Sequence, residues 1–267
     1  MRDTTVRLDH GSGGRLAREL TRDIFLKHFG GELLAGLPDA AVLPESGGML
    51  AFTTDSHVIT PRFFPGGDIG KLAVCGTVND LAVSGAIPRY LSAGFIIEEG
   101  FGLEELERIA ASMAEEAQRC GVEIAAGDTK VVERGGCDGI FINTAGIGTV
   151  PEERAHIASA AEVAPGDRVL LSGTVGDHGM AVTAARRDFA LETPLYSDCA
   201  ALCGLTGALF SSTEPEEIHF MRDPTRGGLA TVLCELAEER AVGVELNESA
   251  IPVREEVRGL CELLGFD

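Results

Sequence analysis

The chain has 267 residues, 45% hydrophobic and 24% charged, which excludes an intrinsically disordered polymer and allows one large or two ordinary buried cores. Asp and Glu number 42 against 22 Lys and Arg, a formal net charge of −20, so binding of nucleic-acid phosphates as a main role is excluded by sign. No stretch approaches the roughly 20 unbroken apolar residues of a membrane span, and the start, MRDTTVRLDHGSGG, lacks the apolar core of a secretory signal.

In chain order, HGSGGR (10–15) is a Gly-rich run. Its consecutive N–H groups can turn toward an anion with Arg15 as a fixed positive charge, although N-terminal glycines are often simply flexible. MLAFTTD (49–55) reads as a strand after the Gly47-Gly48 turn. Asp68 is placed to cap a helix reaching about Ser84, stopped by Gly85 and Pro88. RYLSAGFII (89–97) reads as a strand, and residues 103–120 as a helix with apolar period and an acidic first turn. VEIAAGDT (122–129) predicts a short strand ending in a turn, and GIFINTAGIGTV (139–150) a long strand.

A break over 151–165, with two prolines, separates two α/β halves. Beyond it the pattern restarts. Strands are expected at 168–173, 218–221 and 242–246, and helices after Gly176, near 198–210, at 229–240 and at 253–264. No GxGxxG opens a first helix, so this is not a Rossmann chain. The sequence stops just past a helix with no closing strand, so the second half reads as small or cut short. The seven cysteines are odd in number and contain no CxxC; Cys199 and Cys203, four apart, are placed to share a helix face. They read as reduced thiols of a reducing, cytoplasmic compartment, and structural zinc is disfavoured.

Five carboxylates fall at strand ends, beside glycines or inside the capped helix: Asp39, Asp55, Asp80, Asp128 and Asp223. Such places form the rim where α/β proteins build sites, and gathered acids suit a hard cation such as Mg²⁺. Each can equally cap a turn. Asp80 stands out because it interrupts LAVCGTVNDLAVSGA (72–86) and shares a helical stripe with Ala73, Gly76, Thr77 and Ser84. A stripe of small residues lets something approach closely. GTVGDHG (173–179) and RDPTRGG (222–228) are further Gly-rich turns at helix starts, able to offer N–H groups to an anion. Lys130, two residues after Asp128, is either a solvated surface lysine or a point charge for a transferring phosphoryl group.

Together, HGSGG, TTDSHVITPRFFPGGDIGKLAVCGTVNDLAVSGA, GFIIEEGF, AGDTKVV, GDHGMAV, RDPTRGGLATVL and IPVREEVRGLCELLG resemble the HypE family of nickel–iron hydrogenase maturation proteins. These are carbamoyl dehydratases of the aminoimidazole ribonucleotide synthetase-like (PurM-like) superfamily. The resemblance implies a two-domain α/β fold. Residues 1–37 would be a mobile N-terminal segment with the Gly-rich loop and a helix. Residues 38–150 would be the ATP-binding and dimerisation domain, closing a β-barrel in a homodimer, and 151–267 a C-terminal domain incomplete at its end. It implies ATP and Mg²⁺, with Gly11, Ser12, Gly13 and Gly14 as phosphate loop, Asp39, Asp55, Asp80 and Asp128 as metal and nucleotide acids, Asp223 joining them, and Lys130 as active-site lysine.

The family's reaction dehydrates a C-terminal cysteine thiocarboxamide to a thiocyanate. Phosphorylation of the amide oxygen makes phosphate the leaving group. The partners implied are the HypF carbamoyltransferase and the HypC–HypD scaffold. The family's tail, with its acceptor cysteine and a glutamate acting as base, is expected beyond Asp267. The sequence as printed is therefore expected not to complete the reaction on itself, and Cys261 in GLCELL is not expected to substitute. The rival readings are a thiamine-monophosphate kinase-like enzyme and a non-catalytic docking module.

Overall fold

The computed structural model describes residues 4–10, 14–30, 48–187 and 195–266. Six strands are present among them: β1 (Met49–His57), β2 (Phe63–Phe64), β3 (Gly67–Asp68), β4 (Ile87–Glu98), β5 (Glu123–Val132) and β6 (Ile140–Val150). Four form one mixed sheet in the order β1-β6-β4-β5, and β2 and β3 form a small ladder. Strand β6 runs antiparallel to β1 and β4. Strands β4 and β5 are parallel, because helix α4 (Leu103–Cys120) provides the long crossover that parallel neighbours need.

Helix α3 (Ile69–Val83) starts where the sequence predicts. The Asp68 carboxylate accepts from the N–H groups of Gly70 at 2.7 Å and Lys71 at 3.1 Å, and its second oxygen accepts from the Ser112 hydroxyl of α4 at 2.6 Å. One side chain thus caps α3 and ties it to its neighbour. Helix α4 buries Leu106, Ile109, Ala110 and Met113, a helical stripe laid on the sheet.

The small-residue stripe of α3 has a structural use: it receives the sheet. A Cβ on Gly76 would lie 2.9 Å from Asp55 Oδ2 and 2.9 Å from His57 Cε1, so only glycine lets β1 come this near. Thr77 and Thr144 share a hydroxyl contact of 2.6 Å, and Thr144 donates to the Ala73 carbonyl at 3.0 Å. With the one Thr144 proton so used, Thr77 is the donor of the pair.

The N-terminal segment is docked wherever it is described. Val6 is fully buried; its N–H donates to the Phe101 carbonyl and its carbonyl accepts from Gly100. Helix α1 (Gly14–Leu20), the π-helical stretch Thr21–Leu26 and α2 (Lys27–Phe29) follow without interruption. Phe25 and Phe29 stack on Phe95 of β4, with ring centroids 4.6 and 6.3 Å away. The apolar face of these helices, Leu20, Ile24 and Phe25, is part of the main core.

Three sequence expectations are corrected. Asp128 does not sit in a turn, because β5 runs on to Val132, with β4 partners for each residue from Ala126 onward, Gly94 opposite Asp128 and Ile96 opposite Lys130. The strands expected at 168–173, 218–221 and 242–246 form no ladder among the described residues. A strand exists only through its partner; here Val169 and Leu170 are exposed and lie on no sheet. The helices of this half do form: α5 (Asp177–Arg186), α6 (Cys203–Ser212), α7 (Gly228–Arg240) and α8 (Glu255–Leu264). Helices α5 and α8 close a second, small core around Ala181, Leu195, Val257 and Leu260. Helix α6 starts later than predicted, so Cys199 precedes it and does not share its face with Cys203.

Candidate functional site

A cavity of about 300 Å³ opens where the first half meets the second, a volume near the lower bound of small-ligand pockets. Strand β1 contributes Ala51–Thr53, α3 contributes Asp80, Leu81 and Val83 with its C-cap Ser84, and the opposite wall is Phe220, Met221, Arg222 and Asp223 with Ala158.

Asp80 is half-buried and accepts from the Thr53 hydroxyl at 2.9 Å. Burial pushes its pKa up and nearby Asp55 adds to this, while the Thr53 hydrogen bond and the Arg222 guanidinium oppose it. Asp223 is pushed up to about 6, first by burial and then by facing Asp80, with Asp55 adding a smaller push; its own backbone N–H and Arg222 oppose this. Asp80 thus pushes on Asp223, and Asp55 on both, beside the Arg222 guanidinium. Such a set is an oxygen-only donor group short of positive charge, which fits a hard cation. No group of three His, Cys, Asp or Glu side chains capable of holding a metal exists among the described residues.

Behind Asp55 lies His57, almost fully buried. Its Nε2 is 3.5 Å from Asp55 Oδ2 and 3.5 Å from Thr144 Oγ1. Burial lowers its pKa, Asp55 opposes, and Arg226 lowers it further, so the ring is held neutral near pH 7 and supports Asp55 as a dipole. Sequence reasoning did not single out Thr53, His57 or Arg222. The signal was in the quoted segments TTDSH and RDPTRGG: a hydroxyl two positions before Asp55, a histidine two after it, and an arginine beside Asp223.

The predicted residues therefore divide. Asp80 and Asp223 line one cavity, and Asp55, outside its lining, lies near enough to push on both carboxyls. Asp128 and Lys130 do not join them: their ladder partners Gly94 and Ile96 alternate with the buried Ala93, Phe95 and Ile97, which puts the pair on the sheet face away from α3 and α4. The register Asp55–Thr144–Ala93–Gly127 also sets β1 and β5 three strand spacings apart, about 14 Å. Gly14 opens α1; Gly11, Ser12, Gly13 and Asp39 lie outside the described residues.

The class to which this fold and cleft belong is given by two adjoining family matches: AIR synthase related protein, N-terminal domain, at residues 38–150, and AIR synthase related protein, C-terminal domain, at residues 164–266. Within that class the chain is 51% identical over 270 residues to the carbamoyl dehydratase HypE of Rhodobacter capsulatus, covering 100% of this chain and 78% of the relative. A crystal structure of the hydrogenase maturation protein HypE in complex with ATP superposes with a TM-score of 0.94 at 48% identity, covering 98% of this chain and 77% of that one. A HypE–HypF complex structure matches with a TM-score of 0.77 at 49% identity, over 95% of this chain and 80% of that one. The chain belongs to the HypE family of hydrogenase maturation proteins. Thiamine monophosphate kinase from Aquifex aeolicus, at a TM-score of 0.62 and 16% identity, shares the fold alone.

Proposed function

We propose that this chain is a carbamoyl dehydratase that binds Mg–ATP in the Asp55–Asp80–Asp223 cleft and converts a cysteine thiocarboxamide into a thiocyanate. The observation that carries the reading is the pair Asp80 and Asp223, which line one cavity from opposite walls, Asp223 raised by burial and by Asp80, and Asp80 by burial and by Asp55. Mg²⁺, when bound, would screen these carboxylates and the phosphate charge together.

The residues themselves do the following. Thr53 fixes one Asp80 oxygen, His57 backs Asp55, and Arg222 gives the opposite wall a permanent positive charge beside Asp223. A preorganised set of this kind needs little rearrangement when a phosphoryl group arrives. The reaction balances as thiocarboxamide plus ATP giving thiocyanate, ADP and phosphate. The amide oxygen leaves as phosphate and the nitrogen gives up its two protons.

Asp39, Asp128, Lys130 and the Gly11–Gly14 run are proposed to complete the nucleotide site. Asp128 and Lys130 are proposed to act in a homodimer whose two sheets close into a barrel, since they lie on the face a second copy would cover. That reading is supported by Leu50 and Phe52, which are 63% and 71% exposed on that face. The proposed organisation is an N-terminal segment over 1–37 and domains over 38–150 and 151–267, supported by the limits of the two family matches. HypF, the HypC–HypD scaffold and a cytoplasmic location are proposed on family grounds; no helix of the described residues is long and apolar enough to cross a membrane.

The test supplies in trans, with Mg–ATP, a peptide that carries both the family's base glutamate and an S-carbamoylated terminal cysteine, and follows peptide mass. Loss of one water from the peptide with stoichiometric ADP is expected. ATP binding without turnover would favour a docking module instead. Transfer of phosphate to an added alcohol would favour the kinase-like reading.

A further inference from the structure

Beside the cleft, one side chain of α3 reaches across to the second half. Asn79 Nδ2 donates to the Ala200 carbonyl at 3.0 Å, and the Leu202 N–H donates to Asn79 Oδ1 at 2.7 Å. An amide presents an N–H donor and a carbonyl acceptor side by side, and both are used here across more than a hundred residues of chain. Leu202 is the residue from which α6 starts, its carbonyl accepting from the Thr206 N–H at 2.8 Å. Phe210, near the other end of α6, lies under the Arg154 guanidinium at 3.9 Å. From the same loop as Arg154, the His156 ring reaches the Ile218 carbonyl at 3.0 Å, two residues before the Phe220–Asp223 wall.

We propose that Asn79 is a positioning residue for the cleft: it clips residues 200–202 to α3 one position before Asp80, and so holds the wall that carries Arg222 and Asp223 across from that carboxylate. The inference rests on the nucleotide reading above and extends it. Successive helical residues diverge by about 100°, so α3 sends Asn79 toward the second half and Asp80 into the cavity. The same turn of helix therefore sets both the ligand group and the width of the gap it faces. Asn79 lines no part of the cavity itself, so its removal alters distance across the cleft and not the donor set.

Asn79→Leu, of similar volume and without polar atoms, and Asn79→Gln, which keeps the amide on a longer stem, form the test. Calorimetry with Mg–ATP and amide hydrogen exchange are run on the whole chain. Loss of two hydrogen bonds, about 1.4 kcal/mol together, predicts about tenfold weaker ATP binding for Asn79→Leu, with partial recovery in Asn79→Gln. Exchange should rise at 200–212 and 218–223 and stay unchanged in β6. The proposal is overturned if ATP affinity stays within about twofold while Leu202 loses protection, or if exchange rises equally in β6, which marks general destabilisation. If the parent chain binds no ATP, the nucleotide reading fails by itself. Asn79 is then judged on exchange at 218–223: accelerated exchange in Asn79→Leu supports the clip, and unchanged exchange overturns it.

Discussion

At the scale of single residues, the cleft trades stability for charge. The folded protein retains the Asp223 proton up to about pH 6, whereas an unfolded carboxyl releases it near the ordinary 3.8. Between those values the native state binds more protons than the unfolded one, so stability falls as pH rises through the window. Asp80 acts in the same direction. Asp223→Asn should therefore raise the melting temperature of metal-free protein near pH 7 and change it little near pH 4, read by thermal scans in chelator. An equal gain at both pH values would contradict the assignment. Asp80→Asn should keep the fold and weaken Mg–ATP binding by about tenfold or more by calorimetry; unchanged affinity would return Asp80 to a packing role.

At the scale of elements, the meeting of α3 with β1 and β6 decides the site. Gly76→Ala inserts a methyl between Asp55 and His57 and should cost about 1–3 kcal/mol in denaturant unfolding, the usual range for overpacking. Asp68→Ala removes the α3 cap and the tie to Ser112. A loss of about 1–2 kcal/mol is expected by the same measurement, and a smaller one would mean that water replaces the cap. The sequence carried the Asp68 cap and both ends of α4 because these are local: a side chain three positions from its partner N–H, an acidic first turn, a left-handed Gly121 at the end. It misread Gly127-Asp128-Thr129 as a turn because strand continuation was decided by β4, remote in sequence.

At the scale of the molecule, the sheet is covered by α3 and α4 on one face and bears exposed Leu50, Phe52 and Ile96 on the other. A second copy covering that face would bury them. Phe52→Glu should then shift sedimentation from dimer to monomer without unfolding the chain. A parent that sediments as a monomer would remove the barrel and leave Asp128 and Lys130 without a route to the cleft.

By itself the sequence determined the order of strands and helices over 49–150, the helices that follow, the capped helix bearing Asp80, and the family through motifs spread along the chain. These follow from local periodicity, local hydrogen bonding and residue identity. Only the tertiary structure decided which acids meet. Asp80 pairs with the Thr53 hydroxyl and faces Asp223, and the small residues Gly76 and Thr77 on its stripe admit β1 and β6. Asp128 and Lys130, adjacent to the others in every sequence argument, lie on the opposite face of the sheet. Strand alternation and register set sidedness, and register is a property of pairs of segments far apart in the chain.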